Sequence, residues 1–207
     1  MINYEKVLVK IPILRALLNS LIVSASCTAT VVILGSMVGY ALSRLRFAGS
    51  RGLYVLILFT MMIPFQIVLI PQYILMVKLG WTDTYLSLIA PTMISSFGIV
   101  LFRQFFQSIP QALIDAARID GCSEITILFR IIYPLSRPVI ITVALLTFMT
   151  NWNEVLWPMM VVRERSLMTM PQIVALFSTG GEAESQLGYL LAAATLLALP
   201  VIIAYAF

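Results

Sequence analysis

The sequence predicts an all-α, polytopic membrane helix bundle with about five visible spans and a cytoplasmic helix-elbow-helix loop. Three observations carry this expectation. Hydrophobic residues make up 61% of the 207 and charged residues 11%, against roughly 45–50% apolar and about 25% charged in a soluble domain. The apolar residues are gathered in uncharged runs long enough to cross a bilayer. The remaining charges fall mostly between those runs, above all over 103–137.

Each run predicts an element. Residues 16–43 carry no charge and lead to Arg44 and Arg46, which marks a first span. Its Gly35 and Gly39 form a G-x-x-x-G, expected as a close packing contact. The second run, 52–77, contains Pro64 and Pro71 and is expected to be kinked or broken, because each proline removes a backbone donor. The third, 84–102, carries Pro91 and Gly98. The fourth, 138–162, holds a single charge, Glu154, and the fifth covers 185–207. One transmembrane domain, 1–207, accommodates them all.

Basic loops stay cytoplasmic, so orientation follows from Lys and Arg. The 43–52 loop holds Arg44, Arg46 and Arg51 without an acid and is placed inside, whereas 78–84 offers only Lys78 and is placed outside. Alternation then puts 103–137 inside and the 163–184 loop outside. The N-terminal Lys6, Lys10 and Arg15 would fall outside despite their charge, a conflict that an upstream helix would resolve. The opening residues lack the pattern of a cleaved signal peptide. A multi-pass protein of the cell membrane is expected, with the lipid bilayer as its surroundings. The net charge of +4 belongs to these loops and assigns no nucleic-acid role.

Within 103–137, Ser108 and Gln111 have capping-box spacing and Pro110 suits a first helical turn. A short helix is expected over Ala112–Asp120, with Gly121 as its left-handed C′ residue. Ser123 is expected to cap a second helix that runs to Pro134, with Glu124 in its first turn and Arg130 near its end. Ala116 and Ala117 leave room for another backbone, and Asp115, Arg118 and Asp120 can set its register. A solvated loop, kept wet by its charges, is the plain alternative.

The spacing D-A-A, three residues, Gly121, nine residues, then Ile131-Ile132-Tyr133-Pro134 resembles the EAA motif of ABC-importer permeases, with Asp115 for the usual Glu and Tyr133 for the usual Leu. LLNSLIV (17–23), YALSRLRF (40–47), IPFQIVLIPQY (63–73), LFRQFFQSIP (101–110), PLSRP (134–138) and NWNEVLWP (151–158) are similar to the sugar-importer branch, the second permease subunits of maltose, multiple-sugar and glycerol-3-phosphate systems. The resemblance implies that Asp115, Ala116, Ala117, Gly121 and Pro134 form the surface that docks an ATP-binding subunit. It also implies a second permease subunit and an extracytoplasmic solute-binding protein as partners. That branch has six spans and a cytoplasmic tail, so the chain is expected to correspond to the pattern without its first span and its tail. A permease for another solute, and a secondary transporter or channel with a plain linker, are the rival expectations.

Asn151, Asn153 and Glu154 fall within the fourth run, where polar groups are costly and face the bundle interior. With Trp152 or Trp157 to stack on a ring, they form either a polar edge for sugar hydroxyls or an interhelical clamp. Gln66 after Pro64, with Gln72 after Pro71, marks either a broken helix lining the pathway or a simple kink. There is no His, no recognisable nucleophile setting and no G-x-x-x-x-G-K-[ST]. An enzyme is not expected, nor a cofactor or metal site. Cys27 and Cys122 are expected as unpaired thiols.

Overall fold

The computed structural model describes residues 13–179 together with 195, 197, 198 and 202. Most of the expected fifth span, together with Lys6 and Lys10, lies outside the described residues. Among the described residues every regular element is helical. Helix α1, Ile13–Arg44, is continuous over 32 residues. At 1.5 Å per residue it is about 48 Å long, more than the roughly 30 Å of hydrocarbon, so an end of it must leave the membrane core.

The second run divides into α2, Ser50–Met61, and α3, Phe65–Leu79. The expected break is at Pro64, whereas Pro71 is accommodated inside α3. The third run is α4, Tyr85–Ile89, a 3₁₀ turn, Ala90–Thr92, and α5, Ser96–Ser108, which Ser95 caps by accepting from the Gly98 N–H at 3.2 Å. Next come α6, Gln111–Ile119, and α7, Glu124–Thr126. The latter continues as a π-helical stretch, Ile127–Ile132, and a last turn, α8, Tyr133–Leu135. The fourth run is α9, Arg137–Trp152, then α10, Leu156–Val161. Helix α11, Met170–Thr179, occupies much of what was expected as an outer loop. Its uncharged stretch is too short to span, so run length alone does not register it. By length and composition, α1 can cross a membrane, and up to 4 spans arise among the described residues if each bent helix pair counts as one.

The chain forms two compact units. One comprises 28–68 and 92–147. Its core gathers Val31, Tyr40, Phe102, Phe106, Ile114 and Ile127. The G-x-x-x-G packs as expected here. A Cβ on Gly39 would lie 2.7 Å from Phe102 Cβ and 3.0 Å from the Arg103 nitrogen, so only glycine lets α1 meet α5 this closely. Thr60 Oγ1 and Ser96 Oγ, 2.8 Å apart, tie α2 to α5, and the Arg103 guanidinium sits 3.8 Å above the Tyr54 ring.

The other unit comprises residues up to 27, 69–91 and those from 148 onward. Buried Asn19 organises it: Nδ2 donates to the carbonyls of Ser166 and Met168, both at 3.0 Å, and Oδ1 accepts from the Tyr85 hydroxyl at 2.6 Å. Ser20 Oγ accepts from the Met170 N–H at 2.8 Å, and Gln172 Nε2 donates to the Val162 carbonyl at 2.8 Å. Asp83, with φ of 56°, accepts from the N–H groups of Arg163 and Glu164 at 2.6 and 2.8 Å.

Candidate functional site

The charged loop folds as a helix, a glycine elbow and a second helix. Helix α6 stops at Ile119, and Gly121 follows with φ of 79°, the left-handed conformation expected of a C′ residue. Nothing lies within 4 Å of where its Cβ would be, so backbone conformation rather than crowding demands glycine there. Ser123 caps α7 as expected, accepting from the Thr126 N–H at 3.3 Å.

Three local expectations are corrected. Ser108 does not form a capping box: it ends α5 and donates to its own Phe105 carbonyl at 2.7 Å, while Pro110 stands at the N-cap of α6 without a side-chain bond. Arg44 from α1 instead fastens the junction between α5 and α6 by donating to it, with Nε bonded to the Phe106 carbonyl at 3.1 Å, Nη1 to Gln111 Oε1 at 2.7 Å and Nη2 to the carbonyls of Phe106 and Ile109. A guanidinium there satisfies carbonyls that the end of α5 leaves open. The second correction concerns Ala117, which is 5% exposed and packs in the core with Ile114, whereas Ala116 faces outward. Positions three apart share a helix face, and Ile114 claims that face for the core. Lastly, the helix runs through Pro134 to Leu135 before turning 88° into α9. Pro134 follows directly on the π-helical stretch, in the last turn of that continuous helix, where it has no N–H to bond back into it.

The outward surface of α6 carries Leu113, Ala116, Ile119 and the charges around them, and Ile119 is 87% exposed. Asp115 accepts from Gln111 Nε2 at 2.9 Å and pairs with Arg118 at 3.5 Å. Arg118 crosses the elbow, Nε donating to Glu124 Oε1 at 2.7 Å. The other Glu124 oxygen accepts from the Tyr40 hydroxyl of α1 at 2.5 Å. Arg118 chiefly, and Tyr40 after it, hold the Glu124 carboxyl below the usual glutamate range. Further along, the Tyr133 hydroxyl is 2.6 Å from Ser36 Oγ, again on α1.

The pathway candidates fall in two different units of the chain. Gln66 is exposed in the first turn of α3, next to the Pro64 break, in the unit built from 28–68 and 92–147. In the other unit, Asn153 Nδ2 donates to the Met149 carbonyl at 2.8 Å and Glu154 Oε1 accepts from the Trp157 N–H at 3.2 Å. Trp152 is buried, stacked on Phe148 with ring centroids 5.5 Å apart, and bonded through Nε1 to the Leu197 carbonyl at 3.1 Å. Trp157 donates Nε1 to the Ser87 carbonyl at 2.8 Å. Both indoles are therefore engaged in packing. Residues that sequence reasoning missed are Ser36, Tyr40 and Arg44, whose i, i+4, i+8 spacing on α1 was the available signal, and Asn19, a lone amide within a span.

Among the described residues, helices apolar enough to cross a membrane, joined by a charged helix, glycine elbow and second helix, define a polytopic membrane protein with a folded loop. The chain belongs to the family described as binding-protein-dependent transport system inner membrane component, whose model matches residues 31–207. It is a membrane transport component and not an enzyme; in this family ATP is hydrolysed on a separate subunit. It is 35% identical over 189 residues to the arabinooligosaccharides transport system permease protein of Halalkalibacterium halodurans, covering 91% of this chain and 67% of the relative. It is 40% identical over 141 residues to the polygalacturonan/rhamnogalacturonan transport system permease protein of Bacillus subtilis, covering 68% and 49%. The sn-glycerol-3-phosphate transport system permease protein of Pectobacterium atrosepticum is 31% identical over 184 residues, covering 89% and 66%. The chain thus spans from half to two thirds of the length of these relatives. Its fold matches a chain in the crystal structure of a bacterial ABC transporter involved in the import of the acidic polysaccharide alginate, with a TM-score of 0.86 and 27% identity over 99% of this chain and 76% of that one.

Proposed function

We propose that this chain is the membrane subunit of an ATP-driven, binding-protein-dependent sugar importer of the cell membrane, docking its ATP-binding subunit through α6 and the Gly121 elbow. The observation that carries the assignment is the division of labour on α6. Ile114 and Ala117 face the core, leaving Leu113, Ala116 and Ile119 as an exposed apolar surface with charges on either side. A short helix of that kind, anchored at both ends and bare outward, fits a cleft on a cytoplasmic partner. Asp115 sets register beside it, and Pro134 lies within the last turn of the second helix. Ala117, buried, supports the surface rather than touching the ATPase. A second permease subunit and an extracytoplasmic solute-binding protein complete the assembly, with the 103–137 loop inside.

Oligosaccharides are the substrate class, supported by relatives named for arabinooligosaccharides and polygalacturonan/rhamnogalacturonan. The relatives named for sn-glycerol-3-phosphate favour a second reading, a small phosphorylated polyol. Gln66 is the stronger pathway candidate. Asn153 and Glu154 already bond to nearby backbone groups of their own segment, which supports a local structural role for them over substrate contact. Uptake of labelled arabino-oligosaccharides, galacturono-oligosaccharides and glycerol-3-phosphate by cells carrying the whole importer separates the two readings. Co-purification of the ATPase subunit from wild type, and its loss from a normally inserted Gly121→Val variant, tests the docking. Retention of the ATPase by that variant would count against it.

A further inference from the structure

Ser36, Tyr40 and Arg44 lie four residues apart on α1, so they line one stripe of that helix. Each bonds to a different part of the loop. Arg44 holds its start, through the carbonyls of Phe106 and Ile109 and the side chain of Gln111. Tyr40 holds its middle through Glu124, which is bonded across the elbow to Arg118 of α6. Ser36 holds its end through Tyr133. Helix α6 is thus tied to α1 before its first turn and after its last, and the helix that follows is tied once more. Beside the stripe, the close approach of Gly39 to Phe102 fixes the spacing of α1 and α5.

We propose that the Ser36–Tyr40–Arg44 stripe is a coupling seam: the positioning residues through which movement of the docked α6 and movement of α1 become one motion. The proposal rests on the docking assigned above. An apolar contact can slide, because dispersion has little directionality, whereas short hydrogen bonds at three levels of one helix resist both sliding and rotation. A push on α6 is passed through Arg118 and Glu124 to Tyr40. A shift of α1 returns through the same bonds. Buried Tyr40 also meets the Phe106 ring edge-on with centroids 6.5 Å apart, so its ring keeps its place when its hydroxyl is removed.

The test uses the full complex in lipid nanodiscs, with the solute-binding protein of the same system as the probe. ATP hydrolysis is measured with and without it for wild type, Tyr40→Phe and Ser36→Ala. Both variants are expected to keep the ATPase subunit and hydrolysis without the binding protein, and to lose about five- to tenfold of the stimulation by it, the factor that one hydrogen bond supplies. A purely structural role would lower both rates together and leave their ratio unchanged; that result overturns the seam. If Tyr40→Phe lowers the yield of complex, Ser36→Ala, which removes only a small hydroxyl, decides by the same ratio. Absence of the ATPase subunit from the wild-type complex overturns the docking, and the seam with it.

Discussion

Gly39 on α1 faces Phe102 on α5 so closely that a methyl group would sit 2.7 Å from the Phe102 Cβ. Gly35, one turn earlier, has its nearest Phe102 atom at 3.6 Å, an ordinary contact. Gly39→Ala is expected to destabilise the bundle by about 1–3 kcal/mol through overpacking, while Gly35→Ala stays near neutral. Thermal stability of the detergent-solubilised protein, followed by size exclusion, distinguishes them; equal midpoints would contradict the packing difference.

At Gly121 the demand is conformational, since φ is 79° and the space around it is open. Asn, which tolerates the left-handed region, is expected to retain much of the uptake and ATPase co-purification. A β-branched Val should cost about 2 kcal/mol or more of elbow stability. Similar losses for both residues would instead mean that the partner needs a bare backbone at the elbow.

Glu124 makes the elbow sensitive to acid. Arg118 and Tyr40 favour its charged form, so its folded pKa lies below the unfolded one. Its contribution is complete above the ordinary glutamate range and is lost as the pH falls through the lower folded value. Hydrogen exchange of α6 and α7 amides is expected to speed up in that acid window in wild type. In Glu124→Gln the additional acid dependence should vanish, and a persisting one would assign it to another group.

Asp83 binds two backbone N–H groups that begin the 163–169 segment. These bonds, led by the one from Glu164, hold its carboxyl below the usual aspartate range, so the same sign applies: the fastening is lost at acid pH. Asp83→Ala also places a less suited residue at φ of 56° and should cost about 1–2 kcal/mol, with Asn costing less. Protease susceptibility near Arg163 and Arg165 should rise in the order wild type, Asn, Ala.

Glu154 accepts from the Trp157 N–H, which Gln can reproduce through its own carbonyl oxygen. Glu154→Gln is therefore expected to leave stability and uptake near wild type, whereas Glu154→Ala lowers stability by about 1 kcal/mol. A large uptake defect in the Gln variant, with normal stability, would move Glu154 into the substrate pathway.

What the sequence determined alone is local. Uncharged runs located long apolar helices, the EAA-like spacing located the helix-elbow-helix loop, and Gly121 and Ser123 signalled their own backbone roles, because apolar run length, positive φ and helix capping depend on residues close in sequence. Only the tertiary structure decided which face of α6 is buried, turning Ala117 inward and leaving Ala116 outside. It also decided that Arg44 fastens the start of the loop, and that the unusual Tyr133 serves as a hydrogen-bonding residue to Ser36. Those pairs are separated by 62 to 97 positions in the chain; the G-x-x-x-G signals that some helix comes close at Gly39, but which helix it meets is set by tertiary packing and not by any local pattern.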